Sequence, residues 1–191
     1  MLRAFPLRAP ALEFGPDDAL VLAAQATPAE FAAIYERYLS RIYRYLAAKA
    51  SSPEEAADLT QAVFLKAFDS LSRYRPGKTP FASWLFRIAR NTAIDAHRRR
   101  APVVAGAAAL GFEPATADGP EHLALRAERL RELRAAISTL DNAKRDLLAL
   151  RYAGGLTAAE IAPLVGKRPE AVKKQLQRAL QQLKEHYRDY E

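Results

Sequence analysis

Residues 157–178 read TAAEIAPLVGKRPEAVKKQLQR, and this stretch decides the fold. Thr157 and Glu160 stand at the spacing of a capping box, in which hydroxyl and carboxylate each satisfy a backbone amide at a helix start. The pattern predicts a short helix to about Val165, a break at Gly166, and a long helix from Pro169 to about Tyr187. Val172, Leu176, Ala179, Leu180 and Leu183 make one apolar stripe on the long helix. A capped helix, a turn and a second helix opening on basic and amide residues is the helix-turn-helix arrangement, whose second helix fits the major groove of DNA. Residues 167–178 carry Lys167, Arg168, Lys173, Lys174 and Arg178 against one acid, Glu170. Lys173, Lys174, Gln177 and Arg178 fall off the buried stripe; glutamine pairs with adenine, and lysine suits phosphate or guanine. A basic solvated helix on a bundle accounts for the same charges. Pro163, inside the short helix, removes a backbone hydrogen bond and is expected to kink it.

Upstream, Leu147, Leu148 and Leu150 place a helix over 141–152, stopped by Gly154 and Gly155. Leu123, Leu130, Leu133 and Ile137 place another over 121–138. Residues 101–120 hold three prolines and three glycines and no lysine or arginine, the composition of a flexible interdomain linker. Before it the spacing is helical again. Asp17–Ala26 is a short apolar segment with acids at its start. Phe31, Ile34, Tyr35, Tyr38, Leu39, Ile42 and Leu46 form one stripe of a long helix over 29–50. Ser52, Pro53, Glu54 and Glu55 open a helix to about Ser72, which Pro76 and Gly77 end. Two further helices, about Phe81–Arg90 and Thr92–Arg100, complete this half. No alternating strand pattern occurs. The chain therefore reads as all-α: a tail over 1–15, a helical domain over 16–100, a linker over 101–120 and a second helical domain over 121–191.

Bulk composition narrows the function. A net charge of +7 favours polyanionic partners. With no cysteine and three scattered histidines, disulfides, thiol nucleophiles and zinc or iron–sulfur sites are excluded or improbable, and no metal or cofactor is expected. No nucleophile–base set, glycine-rich phosphate loop or paired-carboxylate motif points to an enzyme. No apolar run reaches membrane-spanning length, and residues 1–11 lack the core of a secretory signal, so the expected compartment is the cytoplasm.

A second basic cluster precedes the linker. Residues 73–100 hold eight basic side chains and one acid, interleaved with Tyr74, Phe81, Trp84 and Phe86. Cations that hold a backbone and rings that stack on bases suit single-stranded nucleic acid. Phe81, Trp84 and Ile88 also read as a core stripe; Phe86 lies off it and is open to either role. On the helix from Pro53, an outward Leu65 among Asp58, Gln61 and Asp69 is compatible with a protein-docking surface or a solvated face.

At this point the sequence resembles a known family. The run DLTQAVFLKAF over 58–68 resembles the polymerase-binding helix of bacterial sigma factors. FASWLFRIARN over 81–91, followed by AIDAHRRR, resembles their segment for melting and reading the minus-ten element, and 147–178 their minus-thirty-five domain. The likeness covers about residues 17–100 and 122–188, and the lack of extra domains points to the extracytoplasmic-function (ECF) group. It implies a sigma region 2-like bundle and a region 4-like helix-turn-helix domain. It places Asp58, Gln61, Leu65 and Phe68 on core RNA polymerase. Phe86 and Asn91 would read an unpaired minus-ten base, with Arg87, Arg90, Arg98 and Arg99 on the adjacent strand. Arg168, Lys173, Lys174, Gln177 and Arg178 would read minus-thirty-five duplex DNA. An anti-sigma partner is expected by the same likeness. Ala62, Pro163, Lys167 and Arg168 depart from the family pattern, and a reduced dependence on the minus-thirty-five element follows as an expectation. The competing class is a stand-alone helix-turn-helix regulator, which leaves 58–68 and 81–100 without purpose.

Overall fold

The computed structural model describes residues 17–99, 128 and 131–188, with side chains to His186. The tail over 1–15, the linker over 101–120 and the start of the helix expected over 121–138 lie outside the described residues. Among the described residues every regular element is helical.

The N-terminal domain is built from α1 (Asp18–Ala26), α2 (Phe31–Ala47), α3 (Pro53–Ser70) and α4 (Phe81–Arg99). Single 3-10 turns, Pro28–Glu30 and Leu71–Arg73, precede α2 and follow α3. The start of α3 is where the sequence puts it, because Ser52 accepts the Glu55 amide and Pro53 occupies the first helical position. The core of this half joins Val21, Ile34, Tyr38, Ile42, Leu46, Val63, Phe64, Phe81 and Leu85. Its buried acids have partners. Asp17 accepts the Tyr38 hydroxyl and pairs with Arg37 at 2.7 Å, and Asp18 accepts the Tyr74 hydroxyl. Gln25 ties α1 to the end of α3 through the carbonyls of Leu71 and Tyr74.

One expectation is corrected here. The two helices expected over 81–90 and 92–100 are one, α4, running unbroken through Asn91. No proline or glycine occurs from Phe81 to Arg99, and Ala82, Leu85, Phe86, Ala89 and Thr92 continue a single buried face across the supposed boundary.

The C-terminal domain contains α5 (131–138), α6 (Asn142–Leu148), α7 (Ala158–Val165) and α8 (Pro169–Arg188). Asp141 caps α6 through the Lys144 amide, and α6 runs on into a π-turn, Ala149–Ala153. The capping box at Thr157 and Glu160 is complete. Pro163 lies within α7 on its exposed side, and the helix carries on to Val165. Gly166 ends it at φ 65°, a left-handed conformation that side chains adopt only with strain.

The two domains do not stand apart. Their buried residues form one continuous hydrophobic cluster, with α7 against α4 and the π-turn against α2.

Candidate nucleic-acid and polymerase interfaces

Helix α8 buries Val172, Leu176 and Ala179 and leaves Lys173, Lys174, Gln177 and Arg178 exposed, with Arg168 exposed just before its start. The reason is local. The apolar residues recur at three and four, so the basic and amide residues are forced to the opposite side. Lys173 pairs with Glu170 at 2.9 Å, an exposed contact that DNA phosphate can displace at small cost. Lys167 donates to Gln175 at 2.8 Å, so the cation at the turn folds back on its own helix.

On α4, Arg87, Asn91, Arg98 and Arg99 are exposed. Arg87, Asn91, Ile94 and Arg98 follow one another at helical spacing, which makes a single cationic stripe with a half-exposed isoleucine in its middle. The sequence reading did not single out Ile94. Trp84 packs on Tyr74 and Phe81 at ring separations of 5.5 and 5.4 Å, which places it with the core.

Phe86 and Arg90 are placed otherwise than the sequence suggested. Phe86 is fully buried. Its ring lies edge-on to Tyr45 at 5.5 Å, with the Arg41 guanidinium 5.7 Å from its centre. A methyl group on Gly154 would come within 2.6 Å of its edge. The ring is therefore covered by the turn after α6, and no base can stack on it in this arrangement. Arg90 is half-buried and its Nε donates to Asp146 Oδ2 at 2.8 Å.

Asp146, on α6, is the centre of the seam between the domains. Its Oδ1 meets Lys49 Nζ at 2.6 Å and accepts the Tyr45 hydroxyl at 3.1 Å. Burial acts to raise the Asp146 carboxyl pKa, but Lys49 and Arg90, each by charge and hydrogen bond, outweigh it and hold the group below its ordinary range. Tyr45 is pushed well above the usual phenol value by burial and by the Asp146 charge, so its hydroxyl remains a donor. Two further bridges complete the seam. Arg41 donates to the carbonyls of Gly154 at 2.9 Å and Gly155 at 3.3 Å, and Ser83 donates to the Glu160 carbonyl at 2.7 Å.

The third surface is on α3. Asp58, Gln61, Leu65, Phe68 and Asp69 are exposed, Leu65 at 66% and Phe68 at 45%. Phe31 packs edge-on to Phe68 at 5.1 Å, and Tyr35, exposed at 38%, leans on Phe64 at 4.7 Å. Tyr35 belongs to the apolar stripe expected to be buried; α2 instead turns its ring to the edge of this patch. The surface is thus apolar and aromatic with an acidic border, unlike the cationic faces of α4 and α8. Among the described residues no cluster of metal-ligating side chains occurs.

Two family models match the chain. The sigma-70 region 2 family model matches residues 34–103, and the sigma-70 region 4 model matches residues 130–183. The ECF RNA polymerase sigma factor SigD of Mycobacterium tuberculosis is 35% identical over 149 residues, covering 75% of this chain and 70% of that protein. The sigma factor YlaC of Bacillus subtilis is 30% identical over 155 residues, covering 80% and 89%. Among solved structures, CnrH bound to the cytosolic domain of CnrY aligns with a TM-score of 0.66 at 22% identity, covering 88% of this chain and 94% of that one. The sigma factor RpoE of Bartonella quintana, bound to the anti-sigma factor NepR, aligns at 0.63 and 21% identity, covering 83% and 97%.

Proposed function

This chain belongs to the ECF sigma factors of bacterial RNA polymerase, and from that membership we propose how its three exposed faces divide the work of starting transcription. The protein is a binding factor rather than a catalyst. It joins core RNA polymerase, directs it to a promoter and helps to open the DNA. The α3 face, with Asp58, Gln61, Leu65 and Phe68, takes the polymerase; Phe31 and Tyr35 extend its apolar area. The stripe of Arg87, Asn91, Arg98 and Arg99 holds the melted minus-ten strand, where Asn91 reads a base turned out of the stack. Arg168, Lys173, Lys174, Gln177 and Arg178 of α8 enter the major groove at minus thirty-five. The linker over 101–120 keeps the two DNA readers at high mutual concentration, so that weak contacts act together.

The observation that carries this reading is the segregation of chemistry. One exposed face is apolar with acids, suited to protein, and two are cationic with amide readers, suited to DNA. A stand-alone regulator needs only α8 and leaves the other two faces idle. Action beside the polymerase places the protein in the cytoplasm; among the described residues no helix is long and apolar enough to cross a membrane. The structural neighbour RpoE is held by the anti-sigma factor NepR, and a partner of that kind is proposed here too. The departures at Pro163, Lys167 and Arg168 support a weakened dependence on the minus-thirty-five block.

The test is capture of core polymerase by the full chain, followed by transcription from a randomised promoter library. Capture and a selected two-block motif are expected, with Asn91→Ala reducing open-complex formation while capture persists. Failure to capture polymerase, beside a sigma factor that does, would replace this reading with the regulator. A library in which the minus-thirty-five block is selected as strongly as the minus-ten block would remove the weakened-dependence part.

A further inference from the structure

On the outward side of α4, Arg87, Asn91, Ile94 and Arg98 stand in one line, because steps of four, three and four residues return to nearly the same side of a helix. Ile94 is 43% exposed, and no other large apolar side chain of α4 is as open to solvent. A single exposed isoleucine on a protein surface needs no explanation; its place beside an asparagine and between two arginines does. We propose that Ile94 is a specificity-determining residue, which packs on the C5 methyl group of a thymine next to the base that Asn91 reads. This inference rests on the role proposed above for α4.

The partner must suit the whole line. Among the described residues Arg87 and Arg98 enter no ion pair, whereas Arg90 is held by Asp146 and Arg99 donates to the Asp95 carbonyl at 3.2 Å. An apolar protein surface laid over Ile94 would strip water from both free guanidinium groups and return nothing. A nucleic-acid strand supplies phosphates to the two cations and bases between them. Along the helix axis Asn91 and Ile94 are separated by about 4.5 Å, at about 1.5 Å per residue. Stacked nucleotides of one strand follow one another at about 3.4 Å, so the two side chains face neighbouring nucleotides. Isoleucine has no donor or acceptor, so it can tell one base from another only by apolar contact. Thymine alone carries an apolar group, its C5 methyl, on the major-groove edge, where adenine, guanine and cytosine present donors and acceptors. Branched at Cβ, Ile94 is held close to one χ1 rotamer in a helix, so the surface it offers that methyl group is already ordered.

Deoxyuridine in place of thymine deletes that methyl group and changes nothing else in the DNA, so the test needs no altered protein. The promoter comes from the randomised library. The column that the parent chain selects and Asn91→Ala does not locates the base read by Asn91, and a thymine is expected beside it. On that promoter, open-complex formation by the full chain with core polymerase should fall about fourfold when this thymine becomes deoxyuridine, the worth of one buried methyl group. Ile94→Ala should treat thymine and deoxyuridine alike, while Ile94→Val, which keeps a branched apolar surface, should still prefer thymine. A parent chain indifferent to the methyl group overturns the inference. An Ile94→Ala chain that keeps the parent's preference overturns it too, since the methyl group is then felt by another residue. A motif with no thymine beside the Asn91 column, or an Asn91→Ala motif that loses no column, does the same. Each of these outcomes leaves the sigma-factor reading standing, whereas a parent chain that captures no polymerase removes that reading and the inference with it.

Discussion

Leu65 offers the sharpest test of the α3 surface, because its side chain contributes almost nothing to the fold. It stands two-thirds exposed at 66%, next to Phe68 on the same face of α3. Complete burial of a leucine side chain is worth about 1.5–3 kcal/mol. Two-thirds of that remains available for a partner to bury, about 1–2 kcal/mol, which corresponds to about 5–30-fold in affinity. Leu65→Ala should weaken binding of core polymerase to that extent. Leu65→Arg should weaken it further, since the guanidinium would be desolvated against an apolar patch. The thermal midpoint of the isolated chain should hardly move, because exposed substitutions change stability by less than about 0.5 kcal/mol. The assay is titration of dye-labelled chain with core polymerase, followed by anisotropy, alongside a melting curve of each variant. Affinity unchanged within twofold would refute the docking assignment. A large fall in melting temperature would refute the premise that Leu65 is idle in the free fold.

Thr157→Ala removes the hydroxyl of the capping box that accepts the Glu160 amide at 3.2 Å. It should cost about 1 kcal/mol, seen as a melting temperature lower by about 2–4 °C, with polymerase capture retained; an unchanged midpoint would mean that water replaces the cap. The Asp146 carboxyl faces Lys49 and Tyr45 from the end of α2 and beyond, and Arg90 from α4. Because its pKa is lowered where the two domains pack together, its stabilisation is fully present above the ordinary carboxylate value, about 4, and is lost as pH falls through the lowered one. The difference in melting temperature between the parent chain and Asp146→Asn should therefore be constant from neutral pH to about 5 and vanish in stronger acid. A difference that faded between pH 7 and 5 would assign the dependence to another group.

Much of the helical framework was legible because its signals are local. Ser52 and Pro53 at the head of α3, Thr157 and Glu160 at the head of α7, and Gly166 at its end act through neighbouring backbone amides and carbonyls, which a linear reading can see. The outward set on α8 followed from periodicity alone, since burying Val172, Leu176 and Ala179 leaves Lys173, Lys174, Gln177 and Arg178 no other side. The misplaced break in α4 was a local error. The chain carries no breaker near Asn91, and the apolar face continues through Thr92.

Fold class, the capped helices and the outward polar face of α8 were thus written in residue order, where each depends on contacts within a turn or two of helix. What lay beyond that reach was settled by packing. Tyr35 rests on Phe64 of α3 at the edge of the exposed patch, and Phe86 is sealed because Gly154, far along the chain, brings backbone against its ring. Asp146 carried no signal at all in sequence. A lone acid between Arg145 and Leu147 looks like ordinary helix surface, and its meaning comes from Lys49 and Arg90, about a hundred and about fifty residues away. Burial and ion pairing are properties of what the folded chain places nearby, and only the assembled domains determine that.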